Sequence, residues 1–255
     1  MGKIIAIANQ KGGVGKTTTA VNLCASLTSL GVKTLLCDMD PQGNATSGLG
    51  VKKDMNVASM YDVLIENAPI REVFVHTPNC DVLPANQALS GAGIELVNLE
   101  NREYVLKNAL INLRDEYDFI FIDCPPSLEM LTLNSLCAAD SVLVPVQCEY
   151  FALEGLSDLM SSIRMTKKAF NPSLALEGVV LTMFDSRTNF STQVADEIKK
   201  FFKEKTFATV IPRSIRLAEA PSHGKAVIDY DKSSSGSEAY LALAKEIIKR
   251  NKVKA

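Results

Sequence analysis

The first twenty residues constrain this chain more than any other stretch. A short apolar run at 4–8 passes without a break into Asn9-Gln10-Lys11-Gly12-Gly13-Val14-Gly15-Lys16-Thr17-Thr18-Thr19, and a helix-forming segment follows. A short, continuously apolar run reads as a strand buried on both faces. Gly12, Gly13 and Gly15 let the backbone turn tightly enough for successive N–H groups to converge on one anion. The helix N-terminus adds its positive dipole end at the same place. Lys16 is positioned to neutralise β- and γ-phosphate charge, and the Thr17 hydroxyl to ligate Mg²⁺. The unit therefore predicts a parallel sheet with its ligand at the carboxyl ends of the strands.

The loop departs from the commonest nucleotide patterns. Gln10 stands where the usual G-x-x-x-x-G-K-[ST] phosphate loop has its first Gly, and a second lysine, Lys11, opens the loop instead. Thr18 stands where a dinucleotide-binding G-x-G-x-x-G would end. The rest of the chain alternates strand-like and helix-like segments. Strands are expected at 4–8, 34–37, 81–83, 119–122, 141–146, 178–182 and, more briefly, 210–211. Helices are expected near 17–30, 101–113, 130–138, 153–170, 192–203 and 237–249, with Gly31 capping the first. This alternation predicts an α/β fold: one domain over 1–255, with a twisted, mostly parallel sheet between two helical layers. The run Ser233-Ser234-Ser235-Gly236 reads as the loop before the last helix, not as a linker.

Two further strand ends carry carboxylates. Phe119-Ile120-Phe121-Ile122-Asp123 is a buried strand ending in an acid, followed by an abrupt Cys124-Pro125-Pro126-Ser127 turn. Asp123 is expected to hold Mg²⁺ directly or through water. The second strand ends in Asp38-Met39-Asp40-Pro41-Gln42-Gly43-Asn44. Alternation puts Asp38 and Asp40 on one face if the strand persists that far. Asp40 is the expected partner of the metal's water shell and of the attacking water, whereas Asp38 suits either that role or a loop hydrogen bond.

Composition bears on what such a nucleotide domain could touch. The net charge of −2 hides an asymmetry: residues 1–159 carry 10 Lys/Arg and 19 Asp/Glu, and residues 160–255 carry 17 and 10. A basic rear half can neutralise phosphates, although solvated helix faces produce the same bias. There is no Trp and aromatics are 6% of the chain, so a base-stacking platform is not expected. The six cysteines include no C-x-x-C pair, which excludes a zinc knuckle or a thioredoxin-like motif and fits a reducing compartment. The opening Met1-Gly2-Lys3 has no secretory signal pattern, and the apolar run behind it is too short to span a bilayer.

The loop Lys-Gly-Gly-Val-Gly-Lys-Thr-Thr at 11–18 is similar to that of the deviant P-loop ATPases. The whole chain from residue 3 to about 250 resembles the ParA/Soj family of chromosome- and plasmid-partitioning ATPases. That resemblance rests on the loop, on DMDPQGN at 38–44, IDCPPS at 122–127, PVQCEYFALEGL at 145–156 and IPRSIRLAEAPSHGKAVIDYD at 211–231. It implies ATP and Mg²⁺ as cofactors, with Lys11, Gly12, Gly13, Val14, Gly15, Lys16, Thr17 and Thr18 around the phosphates. It also implies that Lys11 reaches across a homodimer to the partner's nucleotide, two ATPs being sandwiched between the subunits. Pro212 and Arg213 lie by the base and ribose on the same reading. The ATP dimer is expected to bind double-stranded DNA without sequence preference. Hydrolysis is expected to be weak until stimulated by a ParB/Spo0J-type centromere-binding protein. The expected location is cytoplasmic, on the nucleoid.

Plasmid members of that family often carry an N-terminal helix-turn-helix domain. Here the first strand starts at residue 3, so DNA contact is expected from the ATPase surface, at Arg187 and Arg216, which match the family's DNA-contact positions. Lys199, Lys200, Lys203 and Lys205 are weaker candidates. Two rivals share the loop. Membrane-associated MinD-type ATPases end in an amphipathic helix, but this basic tail at 247–255 has too few apolar residues for one, and no membrane contact is expected. An iron–sulfur carrier would have to use Cys124 and Cys137.

Overall fold

The computed structural model describes residues 2–55, 57–149 and 152–253. Its strands are β1 (Lys3–Ile7), β2 (Thr34–Asp38), β3 (Val75–His76), β4 (Asp81–Leu83), β5 (Phe119–Asp123), β6 (Ser141–Gln147), β7 (Ala175–Phe184) and β8 (Thr206–Pro212). Its α-helices are α1 (Lys16–Thr28), α2 (Asn44–Gly48), α3 (Met60–Leu64), α4 (Leu89–Glu95), α5 (Val105–Leu110), α6 (Met130–Ala138), α7 (Ala152–Ala169), α8 (Asn189–Phe202), α9 (Ile215–Glu219), α10 (Val227–Tyr230) and α11 (Ser235–Asn251). The strands form one sheet in the order β3-β4-β2-β5-β1-β6-β7-β8. Every pairing is parallel except the short β3 edge against β4.

The apolar strands are continuous because the sheet has a core on each face. Ile4 and Ala6 of β1 join one core with Leu35, Ile120 and Val142, under α4, α5, α6 and α7. Ile5 and Ile7 point the other way, with Leu36, Phe119 and Phe121, against Leu23 and Leu27 of α1 and Tyr240 and Leu243 of α11. Alternate residues of one strand thus enter different cores, so β1 is apolar on both faces from Ile4 to Ile7. The six cysteines are free and buried, as small hydrophobes in these runs would be.

Several boundaries differ from the sequence reading for physical reasons. The first helix ends at Thr28, before the expected 30; Gly31 still makes the left-handed turn, at φ 83°, with its N–H on the Thr28 carbonyl. The expected helix at 101–113 is three short pieces, a 3₁₀ turn at Arg102–Tyr104, α5, and a 3₁₀ turn at Ile111–Leu113. β7 and β8 run well past 178–182 and 210–211, because pairing continues beyond those stretches, Ala175 and Leu176 against β6 and Phe184 against Pro212. Thr188 caps α8 and Ser234 caps α11, each accepting from a backbone N–H three residues on. Tyr150 and Phe151 of the 145–156 motif, and Lys254 and Ala255 of the tail, lie outside the described residues. Among the described residues, no helix is long and apolar enough to cross a membrane.

Candidate nucleotide site

The loop after β1 lies between the carboxyl ends of β5 and β6, the neighbours of β1 in the sheet. Its shape is fixed from several sides. The buried Asn9 side chain donates to the Pro145 carbonyl at 2.8 Å and accepts from the Lys11 N–H at 3.0 Å. Thr182, from β7, donates to the Val14 carbonyl at 2.8 Å. Gly13 and Gly15 adopt φ of 74° and 89°, which side-chain-bearing residues rarely take.

Gly15 is also the N-cap of α1, so no side chain caps this helix, and its first turn has no acid. The N–H groups that a helix start leaves open are therefore free for an anion, with the dipole behind them. Lys16 is buried, and its ammonium donates to the Lys11 carbonyl at 3.1 Å, across the mouth of the loop. Burial lowers its pKa, and the neighbouring Asp123, more than any other group, works against that shift.

Asp38 and Asp123 are partners in the β2–β5 register, side by side at the end of the sheet. Their surroundings separate their roles. Asp38 accepts from the Thr46 N–H at 2.8 Å, the Thr46 hydroxyl at 2.7 Å and the Asp40 N–H at 3.1 Å, so it organises the loop. Burial pushes its carboxyl up to about 6, those hydrogen bonds notwithstanding. Both oxygens of Asp123 are buried without a hydrogen-bond partner among the described residues. Burial pushes its pKa far up and the neighbouring Asp38 adds to the shift, while Thr17 and Lys16 pull it back. The Thr17 hydroxyl faces Asp123 without reaching bonding geometry. Asp40 is buried too, and its carboxylate accepts the local Gln42 N–H, at 2.9 Å.

A buried carboxylate with no donor suits a cation, and Mg²⁺ characteristically takes one or two carboxylates, waters and substrate phosphates. No three His, Cys, Asp or Glu side chains converge on one metal position among the described residues. The residues fit an ion shared with a nucleotide better than a self-contained metal cage.

Pro212 and Arg213 line a cavity of about 330 Å³ that Gly15 and Thr18 also line, so the structure brings both ends of the expected site together. Sequence reasoning missed three other features of this wall. Tyr240 of α11 lines it, its hydroxyl 3.1 Å from that of Thr19. Thr182 and Met183 line it from β7, and Met183 has a positive φ of 51°. Only the LTMFD run at 181–185 could have hinted at Thr182 and Met183, and nothing near Tyr240 points to the site. Lys11 does not point into the loop: its ammonium is 2.9 Å from Glu149 of the same chain. Cys124 and Cys137 are both buried, with burial raising their thiols to about 12 and about 11, which disfavours a thiolate-bound cluster.

Arg187 and Arg216 follow β7 and β8, at the same end of the sheet. Both are exposed and both are paired: Arg187 with Asp185, and Arg216 with Glu219 and Asp231.

Residues 2–176 match a family model described as an AAA domain. The chain is 56% identical over 249 residues to the Bacillus subtilis sporulation initiation inhibitor protein Soj, covering 97% of this chain and 98% of that one. It is 54% identical over 257 residues to the Myxococcus xanthus chromosome partitioning protein ParA, covering 100% of this chain and 91% of that one. Among solved structures, cobyrinic acid a,c-diamide synthase from Mycobacterium smegmatis, with bound ADP and magnesium, superposes with a TM-score of 0.87. It is 37% identical, covering 99% of this chain and 96% of that one.

Proposed function

This chain belongs to the ParA/Soj family of chromosome-partitioning ATPases, and on that premise we propose that it is an ATP-timed switch for DNA binding. It is an ATPase that uses ATP and Mg²⁺. In the proposed cycle, the open N–H groups at the start of α1 and the Lys16 ammonium bind the phosphates. Thr17 and Asp123 hold Mg²⁺, which when bound neutralises phosphate charge; Asp40 orients the attacking water. Pro212 and Arg213 pack by the base and ribose. Lys11 leaves Glu149 and reaches the nucleotide of a second copy, closing a dimer with two ATPs between the subunits.

The dimer binds duplex DNA through Arg187 and Arg216, doubled by symmetry. Phosphate neutralisation suffices for binding without sequence preference, and the ATPase surface itself supplies it. A ParB/Spo0J-type partner stimulates an otherwise slow hydrolysis and so releases the DNA. The cytoplasmic nucleoid is the proposed location. The MinD-type membrane reading is set aside, because relatives matching nearly the whole chain at more than half identity carry the Soj and ParA names.

The observation that carries this reading is the pairing of an uncapped helix start with a partnerless buried carboxylate, Asp123. The test is binding of random-sequence duplex with ATP, with ADP and without nucleotide. Tight binding is expected only with ATP; equal binding in all three states would overturn the switch.

A further inference from the structure

Two features of the proposed DNA face stand out together. Each of its arginines is exposed, and each is already occupied by a carboxylate from its own loop or helix. Arg187, whose side chain is 84% exposed, grips Asp185 with both arms of its fork: Nε to Oδ1 at 2.9 Å and a terminal nitrogen to Oδ2 at 2.7 Å. Arg216 donates to Glu219 at 2.8 Å and faces Asp231 at 3.2 Å through Nε. A carboxylate and a phosphate present the same pair of acceptor oxygens to a guanidinium, so an arginine held this way cannot grip DNA with the same nitrogens.

The Asp185–Arg187 pair is built into its turn. The Arg187 N–H donates to Asp185 Oδ1 at 3.0 Å, and the Thr188 N–H and hydroxyl both donate to the Asp185 carbonyl. The acid is thereby held facing the guanidinium, and the interaction holds its carboxyl down to about 2. It remains charged throughout the physiological range.

We infer that Asp185 and Glu219 are internal competitors for the DNA-binding arginines, occupying the positions that backbone phosphates take when duplex binds. This rests on the reading of Arg187 and Arg216 as DNA contacts. A surface ion pair is weak, so phosphate can displace it, yet each displacement subtracts from the gain on binding. One subunit therefore gains little from its two arginines. A dimer presenting four on one duplex still binds, because the phosphate attractions act together. The acids lower the affinity of subunit and dimer alike, and so keep the single subunit, with two arginines, below the level at which it holds duplex.

The test is a four-member cycle: the full-length wild type, Asp185→Asn, Arg187→Ala and the double variant. The reading is the affinity for a random-sequence duplex at fixed salt with a non-hydrolysable ATP analogue. Asn keeps the oxygen that accepts the Arg187 N–H, so the turn persists while the charge is lost. Asp185→Asn is expected to tighten binding roughly two- to five-fold for each exposed competing pair lost, compounded over the two copies in the dimer. The gain should vanish in the Arg187→Ala background. Unchanged or weaker binding by Asp185→Asn, with Arg187→Ala still weakening it, would overturn the competition while leaving the DNA reading intact. A gain that persists without Arg187 would show a general charge effect and also overturn it. Arg187→Ala binding like the wild type would instead remove the DNA reading, and the competition with it. Glu219→Gln repeats the test at Arg216, with a smaller expected gain because Asp231 remains.

Discussion

Asp123 and Glu177 are both buried carboxylates on strands of one sheet, and they sit at opposite ends of it in opposite states. Glu177, near the start of β7, accepts hydrogen bonds from Lys3 at the start of β1, Ser141 at the start of β6, and Asn251 of α11. Asp123, at the end of β5, accepts none. The difference separates a buried acid that holds a fold together from one that awaits a ligand. Desolvating a carboxylate costs several kcal/mol unless donors replace water. At the amino end the chain supplies those donors itself, tying β1, β6, β7 and α11 into one network. At the carboxyl end it leaves the deficit open, beside an uncapped helix start and a buried lysine.

The sharpest way to break this comparison is at Lys16, the buried cation facing the deficit. Lys16→Ala removes a charge-assisted contact to phosphate, and such contacts contribute about 1.5–3 kcal/mol each. ATP affinity should fall by about one to two orders of magnitude, measured with a fluorescent ATP analogue. Affinity within two-fold of the wild type would show that the carboxyl end is not the phosphate site.

Two groups at the ligand end could blur the contrast: Asp38, whose donors come from its own loop, and Lys11, which is paired with Glu149. If that pairing is a resting state, Lys11→Ala should bind ATP nearly as the wild type does and lose the ATP-dependent dimer. Asp40→Ala should do the reverse, accumulating a dimer that does not turn over. Light scattering with ATP distinguishes the two, and a normal dimer from Lys11→Ala would confine that lysine to its own chain.

Stability tests the two acids directly. Glu177→Gln strands donors that now meet a charge, and should destabilise the nucleotide-free protein by about 1–3 kcal/mol while sparing ATP binding. Asp123→Asn removes an unpaired buried acid, and should raise stability by on the order of 1 kcal/mol while weakening Mg²⁺-dependent ATP binding. Denaturant titration gives both numbers. The same sign for both variants would erase the distinction between the two ends.

The sequence made the carboxyl end legible because its requirements are local. Gly13 and Gly15 must adopt left-handed backbone, and Lys16 and Thr17 must follow on the first helical turn, so adjacent residues spell out the site. Asp123 was legible as the polar end of an apolar strand. The amino-end network was not, because Lys3, Ser141, Glu177 and Asn251 are scattered over the whole chain and only the sheet order brings them together. The strand expected at 178–182 leaves Glu177 outside it, whereas β7 begins three residues before 178, at Ala175. The pairing of Arg187 with Asp185 was equally silent. Charge counting registers a basic rear half, but not that Arg187 and Arg216 are already paired with neighbouring carboxylates.

The smallest expected effect is the pH dependence of the amino-end network. Burial alone would raise the Glu177 pKa, but hydrogen bonds from Lys3, Ser141 and Asn251 outweigh it and hold the carboxyl below its ordinary 4.5. A carboxyl whose pKa is lower folded than unfolded binds protons more readily in the unfolded chain. Its contribution is therefore fully present above the unfolded value and is lost as pH falls through the folded one. The stability difference between the wild type and Glu177→Gln should stay constant from neutral pH down to about 5.5, then shrink on further acidification as the unfolded chain takes up its proton. Urea titrations at a series of pH values measure this. A difference that instead widened on acidification would mean that Glu177 is held protonated like an unsatisfied acid, and that the two ends of the sheet do not differ in kind.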